Sequence, residues 1–415
     1  MNLLLIKQMF NLNIINLILV FSLLPALIAG VFLTNVIFAI LVIYNLFFFS
    51  KEFKIIILEE KKIILLFVSF SFILLLSSFL SSNKYHSFGS SILYSSFLIY
   101  SFSLISFFKS RSNKISFLIF STFIFSILSI DAFYELINGK NFLGFSSIEG
   151  RIAGLFHDRW LIGRYLIYLI PLFVGIFLIE YHNISKRLRV FIFMSFLLSF
   201  FIILFSGERA AFLLLFIYFF MCLVFFFNKI KIYKIILILL FIITFLYLPF
   251  LFHETSQRML DNFILYMTSI DIDKNPYYTM WHTALNIFRE NPFFGSGPNN
   301  FRIYCSRDLY YISELSCSTH PHNIVFQLLS EIGIIGFSFI LIFLIYNFNL
   351  LLKLILIKNF TTELLGCYSL LLAPFIQLFP FMISGNFFLS WYGIIYYLSI
   401  SFLLIYKKNI FKFIK

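Results

Sequence analysis

Side chains able to do chemistry are scarce in this chain, and they cluster. The segment Cys317–Asn323 reads CSTHPHN and places His320 and His322 just ahead of a long apolar run. Ser318 or Thr319 suits a helix N-cap and Pro321 the first helical position. That puts His322 in the first turn of the following helix, with His320 outside it as a substrate contact or a bystander. Asn323, Gln327 and Glu331 then recur at four-residue steps, a polar stripe on an otherwise apolar helix. At membrane depth such a stripe is expected to look into a protein cavity. The helix N-terminus would offer free N–H groups and partial positive charge to an anion. The same field would hold His322 neutral and able to accept a proton. A neutral base beside an anion-binding helix end suits attack on a phosphate-activated substrate.

A second group lies in FSGERAAF, Phe205–Phe212, where Gly207 permits a tight turn. Glu208 and Arg209 are the only charges between Arg189 and Lys229. Isolated charges at membrane depth point to function. An arginine opening a helix opposes the helix dipole, so Arg209 is expected to meet an anion. Glu208 is a candidate to orient Arg209, and Glu331 to orient His322. A third group, Arg151, His157, Asp158 and Arg159, sits near the membrane face, with Arg164 at or inside it. Arg164 must snorkel, pair or line a wet cavity, and for Arg159 and Arg164 the plain expectation is snorkelling or pairing with Asp158.

The elements that must position these residues follow from composition. The chain is 61% hydrophobic and 12% charged, where a soluble protein is about a quarter charged. Apolar runs recur throughout, which predicts an all-α polytopic membrane protein forming a single integral membrane domain, residues 1–415. Twelve spans are expected near 11–29, 31–50, 63–80, 89–108, 115–136, 163–180, 190–206, 210–227, 235–252, 331–351, 364–383 and 387–406. Lys and Arg gather in alternate loops, which makes that side cytoplasmic and places both termini there. The net charge of +13 is therefore a topology signal and not a nucleic-acid surface. No cleavable signal peptide is expected. The opposite, outer side holds a smaller loop, 138–162, and a large one, 253–323, between spans nine and ten.

Within the large loop, Trp281, Ala284, Leu285 and Phe288 follow helical spacing. A short helix on the membrane surface is expected, with Trp281 at the interface. Asn291-Pro292 ends it, and Gly295-Ser-Gly297-Pro298 makes a turn. No GxxxxGK[ST] occurs, which argues against a nucleotide site. Cys305 and Cys317 share this loop, and an oxidising outer compartment predicts a disulfide between them. Cys222 and Cys367 fall in spans. No CxxC or His/Cys cluster has zinc spacing, so no metal or other cofactor is expected.

RIAGLFHDRWLIGRYL, SGERAAF, W..AL.IF.ENPFFGSGPNNF and HPHNIVFQLLSEIGIIG, in this order from Arg151 to Gly336, resemble the O-antigen ligase and O-antigen polymerase family of bacterial membrane glycosyltransferases. The resemblance implies a glycan donor on undecaprenyl pyrophosphate at the periplasmic face of the inner membrane. The acceptor would be a sugar hydroxyl, of lipid A–core for a ligase or of a second lipid-linked glycan for a polymerase. The reaction would be metal-independent. The family's histidine falls on His322 as base and its mid-chain arginine on Arg209 as pyrophosphate clamp. The arginine opening RIAGLF falls on Arg151, in the same charge-stabilising site. One position departs: the arginine often found four residues before the tryptophan is here Tyr277. Arg258, Arg289 and Arg302 are candidates to replace it, with Arg258 favoured. A lipid-linked-oligosaccharide flippase or other transporter is the alternative of another class. It would be expected to carry charges at the midplane and an internal repeat, whereas here the charges gather at the outer face.

Overall fold

In lipid every backbone N–H and C=O must be satisfied within the segment, so an apolar chain of this kind folds as helices. The computed structural model describes residues 3–146, 151–157, 159–227 and 275–414, with isolated positions from 229 to 243; side chains of 3–13, 50 and 51 lie outside that description. The long helices are α1 (Leu3–Ala29), α2 (Val31–Phe48), α4 (Lys61–Leu80), α5 (Lys84–Phe107), α6 (Arg111–Asn138), α7 (Ile162–Ile179), α8 (Lys186–Phe205), α9 (Arg209–Phe226) and α11 (Ile324–Leu356). Shorter ones are α3 (Ser50–Glu59), α10 (Pro276–Glu290), α12 (Thr362–Gln377), α13 (Ser390–Ile405) and α14 (Lys407–Ile414).

The chain is an all-α polytopic membrane protein. Among the described residues eight helices are long and apolar enough to cross a membrane, or nine if α13 and α14, bent by 58°, form one span. The expected span at 235–252 lies outside the described residues, and a count of twelve is not reached within them. The last two expected spans also end differently. α12 stops at Gln377 and α13 starts at Ser390, so residues 378–389 form a loop, at the end of the bundle opposite the basic loops, and not membrane helix.

α7 is the most enclosed spanning helix, with 78% of its length buried. It packs closely on α12 because small residues let the backbones approach: a Cβ on Gly175 would stand 2.6 Å from Leu370 Cγ, and one on Gly366 2.9 Å from the Gly175 carbonyl oxygen. Buried Gln377 joins this pair to α13, donating to the Tyr168 carbonyl at 2.6 Å and to Ser399 Oγ at 2.7 Å. At the end that carries the basic loops, buried Glu180 gathers Arg111 at 3.3 Å, Lys114 at 3.6 Å and the Tyr406 hydroxyl at 3.0 Å. Lys407 meets Glu60 at 2.6 Å there.

At the opposite end the chain re-enters the bundle. α11 is broken at Gly333, whose φ of 65° and ψ of −174° are open to glycine alone. The Pro292–Gly297 segment fills the break. Ile334 N–H donates to the Pro292 carbonyl at 2.8 Å, Ser296 N–H to that of Ser330 at 2.9 Å, and Gly297 N–H to that of Glu331 at 2.8 Å. Ser77 of α4 donates to the Phe294 carbonyl at 2.6 Å. The glycine-rich turn expected from the sequence is thus an inserted wedge, and it supplies partners for backbone groups that a kink would otherwise orphan.

Candidate functional site

His320 and His322 lie side by side at this end, ring centroids 4.1 Å apart. They do not sit in a helix. The N-cap of α11 is Asn323, whose Oδ1 accepts from Val325 N–H at 2.9 Å and Phe326 N–H at 3.3 Å. This corrects the expected cap at Ser318 or Thr319. Asn323 reaches two orphan N–H groups without bending the chain, a contact worth about 1 kcal/mol. Those N–H groups are thereby taken, so the helix end does not offer them to an anion. His322 precedes the cap with φ of 54°, a left-handed conformation uncommon outside glycine.

The 378–389 loop holds both histidines through one residue. Ser384 N–H donates to the His322 carbonyl at 2.9 Å, and His320 Nε2 donates to the Ser384 carbonyl at 3.1 Å. Asn323 Nδ2 ties the same loop at Pro380, 2.9 Å. His320 is 6% exposed, and its Nδ1 takes the Thr319 hydroxyl at 2.9 Å, so both nitrogens are committed. His322 is half-buried; its Nε2 meets Ser318 Oγ at 3.2 Å, and no partner of its Nδ1 occurs among the described residues. Burial lowers the His322 pKa to about 4, assisted by the Arg164 charge. Burial lowers that of His320 further, with His322, Arg164 and Arg302 adding to the effect. The expected neutrality of His322 thus has a different cause from a helix field.

The polar stripe does not line a cavity; loops fill it. Glu331 is 0% exposed, and its carboxylate accepts from Asn299 N–H at 3.0 Å, Phe301 N–H at 2.9 Å and Gln327 Nε2 at 3.0 Å. It fixes the backbone at 299–301 and does not orient His322. Gln327 also donates to Asn386 Oδ1 at 2.7 Å, and Asn386 donates to Asn299 Oδ1 at 2.8 Å. Trp281 is likewise an internal anchor rather than an interface residue. Its ring stacks on Phe326 at 5.3 Å and its Nε1 donates to the Pro321 carbonyl at 3.0 Å. The buried face of α10 is Met280, Thr283, Ala284 and Ile287, with Trp281, Leu285 and Phe288 flanking it.

The other wall is built from α7 and the α8–α9 turn. Gly207 turns the chain with φ of 71°, and Arg209 opens α9. Glu208 does not orient Arg209. Its Oε1 accepts from Gly163 N–H of α7 at 2.7 Å, capping a helix whose own N-cap position, Leu161, cannot. Gly163 is required there, since a Cβ would stand 2.6 Å from Ser206 Oγ. Burial raises the Glu208 pKa to about 7, against the opposing pull of Arg164, of two backbone N–H groups and of Arg151. Arg151 is set beside this turn by Ile152 N–H, which donates to the Ser206 carbonyl at 3.2 Å, and its guanidinium lies 4.6 Å over Trp160. Arg159 donates to the Ile28 carbonyl at 3.3 Å.

Of the outcomes expected for Arg164, snorkelling does not occur: the side chain points into the site, and its expected partner Asp158 lies outside the described residues. Arg164 donates through Nη1 to the Tyr392 hydroxyl at 3.2 Å, and it lies close enough to act on Glu208 and both histidines. Sequence reasoning also missed Ser384, Asn386 and Tyr392. Pro380 and the Gly385-Asn386 pair were the available signal, turn residues interrupting an apolar run. Of the candidates to replace an arginine at Tyr277, Arg258 lies outside the described residues, as does Asp158. Arg289 bonds Asn286 on the exposed side of α10. Arg302 bonds Asn299 at 2.9 Å and acts on His320. Tyr277 itself sets its ring against that of His322, 6.0 Å away and perpendicular.

Cys305 and Cys317 are joined as a disulfide, Cα atoms 5.2 Å apart across a separation of 12 residues. The bridge closes the loop that ends at the histidines. A Cys305→Ser, Cys317→Ser variant is expected to lose about 3 kcal/mol of stability, read as a lower melting temperature under non-reducing conditions. Mass spectrometry without reductant should recover the two peptides linked.

Fold and site together define a multi-pass helical membrane protein with histidines and arginines gathered at one end of its bundle. Residues 194–341 match the family described as O-antigen ligase. This stretch runs from within α8 to the middle of α11 and includes Arg209, Trp281, His320, His322 and Glu331. Arg151, Arg164 and the 378–389 loop lie outside it. A comparison with curated proteins finds no match.

Proposed function

We propose that the chain transfers a glycan from undecaprenyl pyrophosphate to a hydroxyl of lipid A–core at the periplasmic face of the inner membrane. The observation that carries this reading is His322: neutral, half-buried, and within reach of the Arg164 charge. With Nε2–H given to Ser318, the Nδ1 lone pair is placed to take the acceptor proton. The acceptor oxygen then bonds to the anomeric carbon as the carbon–phosphate oxygen bond breaks, and the pyrophosphate leaves with the electron pair. Arginine suits that departing charge, being permanently ionised and bidentate. Arg209 meets the pyrophosphate and Arg151 adds to the positive field. His320, Asn323, Trp281 and Glu331 position the base through backbone and loop contacts rather than by touching substrate. Glu208 does the same for the α7 end.

Deleting the gene and examining the lipopolysaccharide tests this. Lipid-linked polymer with bare core, restored by the wild-type chain, is the expected result. Core bearing a single repeat unit would make the chain a polymerase, and unchanged lipopolysaccharide would overturn glycan transfer to this acceptor.

A further inference from the structure

Arg164 stands third in α7, where the helix dipole is positive and a cation is disfavoured. Its position at membrane depth adds a desolvation cost. Glu208, Tyr168 and Tyr392 act on it, but no carboxylate stands within ion-pair distance of it among the described residues. Of five N–H donors, one reaches the neutral Tyr392 hydroxyl, and the Nε–H is enclosed without a hydrogen-bond partner. The nearest natural partner, Glu208, spends its Oε1 on the Gly163 N–H. A guanidinium kept at this cost, beside a base and short of acceptors, is built for an anion that arrives.

We propose that Arg164 binds the pyrophosphate of the lipid-linked donor, as the second cation of the site alongside Arg209. This rests on the glycan-transfer reading above. It also accounts for Tyr277: the neutral ring there stands against His322, and the charge missing from α10 is supplied from α7 on the opposite wall. The same placement lets Arg164 add to the burial that disfavours the His322 imidazolium. An anion bound to Arg164 would weaken that effect as the acceptor proton is to be taken.

The test is binding of radiolabelled geranylgeranyl pyrophosphate to the full chain in phosphatidylcholine nanodiscs. Wild type is expected to bind, Arg164→Gln to bind at least tenfold more weakly, and Arg164→Lys to fall between, since a point charge replaces a fork. Phosphatidylglycerol in the disc should leave binding unchanged, and inorganic pyrophosphate should compete. Elution profile and melting temperature of each variant show whether it is folded; if Arg164→Gln is not, Arg164→Lys carries the test, and wild-type affinity there overturns the proposal. Unaltered affinity in folded Arg164→Gln overturns the role of Arg164 and leaves the glycan-transfer reading standing. No binding by wild type overturns both. Displacement by phosphatidylglycerol makes Arg164 a headgroup contact instead.

Discussion

His322→Ala is expected to lower glycan transfer by roughly 10²- to 10⁴-fold, the usual contribution of a positioned general base, with insertion and expression unchanged. The fold should tolerate the change because the side chain's described contacts are few. They are Ser318 Oγ, the flanking His320 ring and the edge of Tyr277. Its backbone is the stricter constraint. At φ of 54° an alanine pays a left-handed penalty of about 1–2 kcal/mol. His322→Asn removes that ambiguity, since asparagine tolerates the conformation and still hydrogen-bonds but cannot take the proton. Both variants should lose transfer alike. Activity in His322→Asn with loss only in His322→Ala would make the residue a backbone device. His320 should behave otherwise: it is buried with both nitrogens bonded, so His320→Ala is expected to lower stability together with activity.

Gly333→Ala is expected to disrupt the end of the bundle that carries the histidines, costing at least 2–4 kcal/mol. Two independent terms combine. The φ/ψ of this residue lies in the region that only glycine enters at low cost. A Cβ would also overlap the Phe293 carbonyl, backbone of the wedge that fills the helix break. Relief by straightening α11 would expel Pro292–Gly297 and strip the partners from Ile334, Ser296 and Gly297 N–H. Because Glu331 fixes 299–301 from the same turn, the damage should spread to the histidine loop. The measurement is the yield of monodisperse protein and its melting temperature, with Gly336→Ala three residues on as comparison. There the nearest atoms are side-chain carbons of Ile332, at 2.6 Å, and φ is ordinary. Equal behaviour of the two variants would remove the break as a structural requirement.

The spanning helices were legible in the sequence because each is a long apolar run, most of them bounded by charges and α2 opened by Gly30. Arg209, His320 and His322 were legible because polar residues stand out against phenylalanine and leucine. The roles of their neighbours were not. Glu208 and Glu331 were matched to partners close in sequence and Trp281 to the membrane interface, and each serves a backbone group distant from it, at Gly163, Phe301 and Pro321. Local spacing reports a helix face but not which loop will pack upon it. The 378–389 loop was absorbed into flanking spans because Phe379, Phe381, Phe387 and Phe388 read as membrane residues. For Arg164 snorkelling, pairing and lining a cavity all stayed open, because position in a span says how deep a residue lies, not whether it faces lipid or protein.

The most direct test is the pH dependence of kcat/KM for glycan transfer, measured from pH 3.5 to 8 on the purified chain with its lipid-linked donor. That ratio reports the base in the free enzyme. His322 is neutral above about 4, because burial and Arg164 disfavour the imidazolium. Between the ordinary value of about 6.5 and that point the unfolded chain binds a proton the folded site refuses, so stability should decline as pH falls through this window while the base stays competent. The expected profile is therefore flat from neutral pH to about 5 and falls as pH drops through about 4, and His322→Asn abolishes the transfer from which it is read. A fall centred near 6.5, or transfer surviving in His322→Asn with an unchanged profile, would contradict His322 as the base.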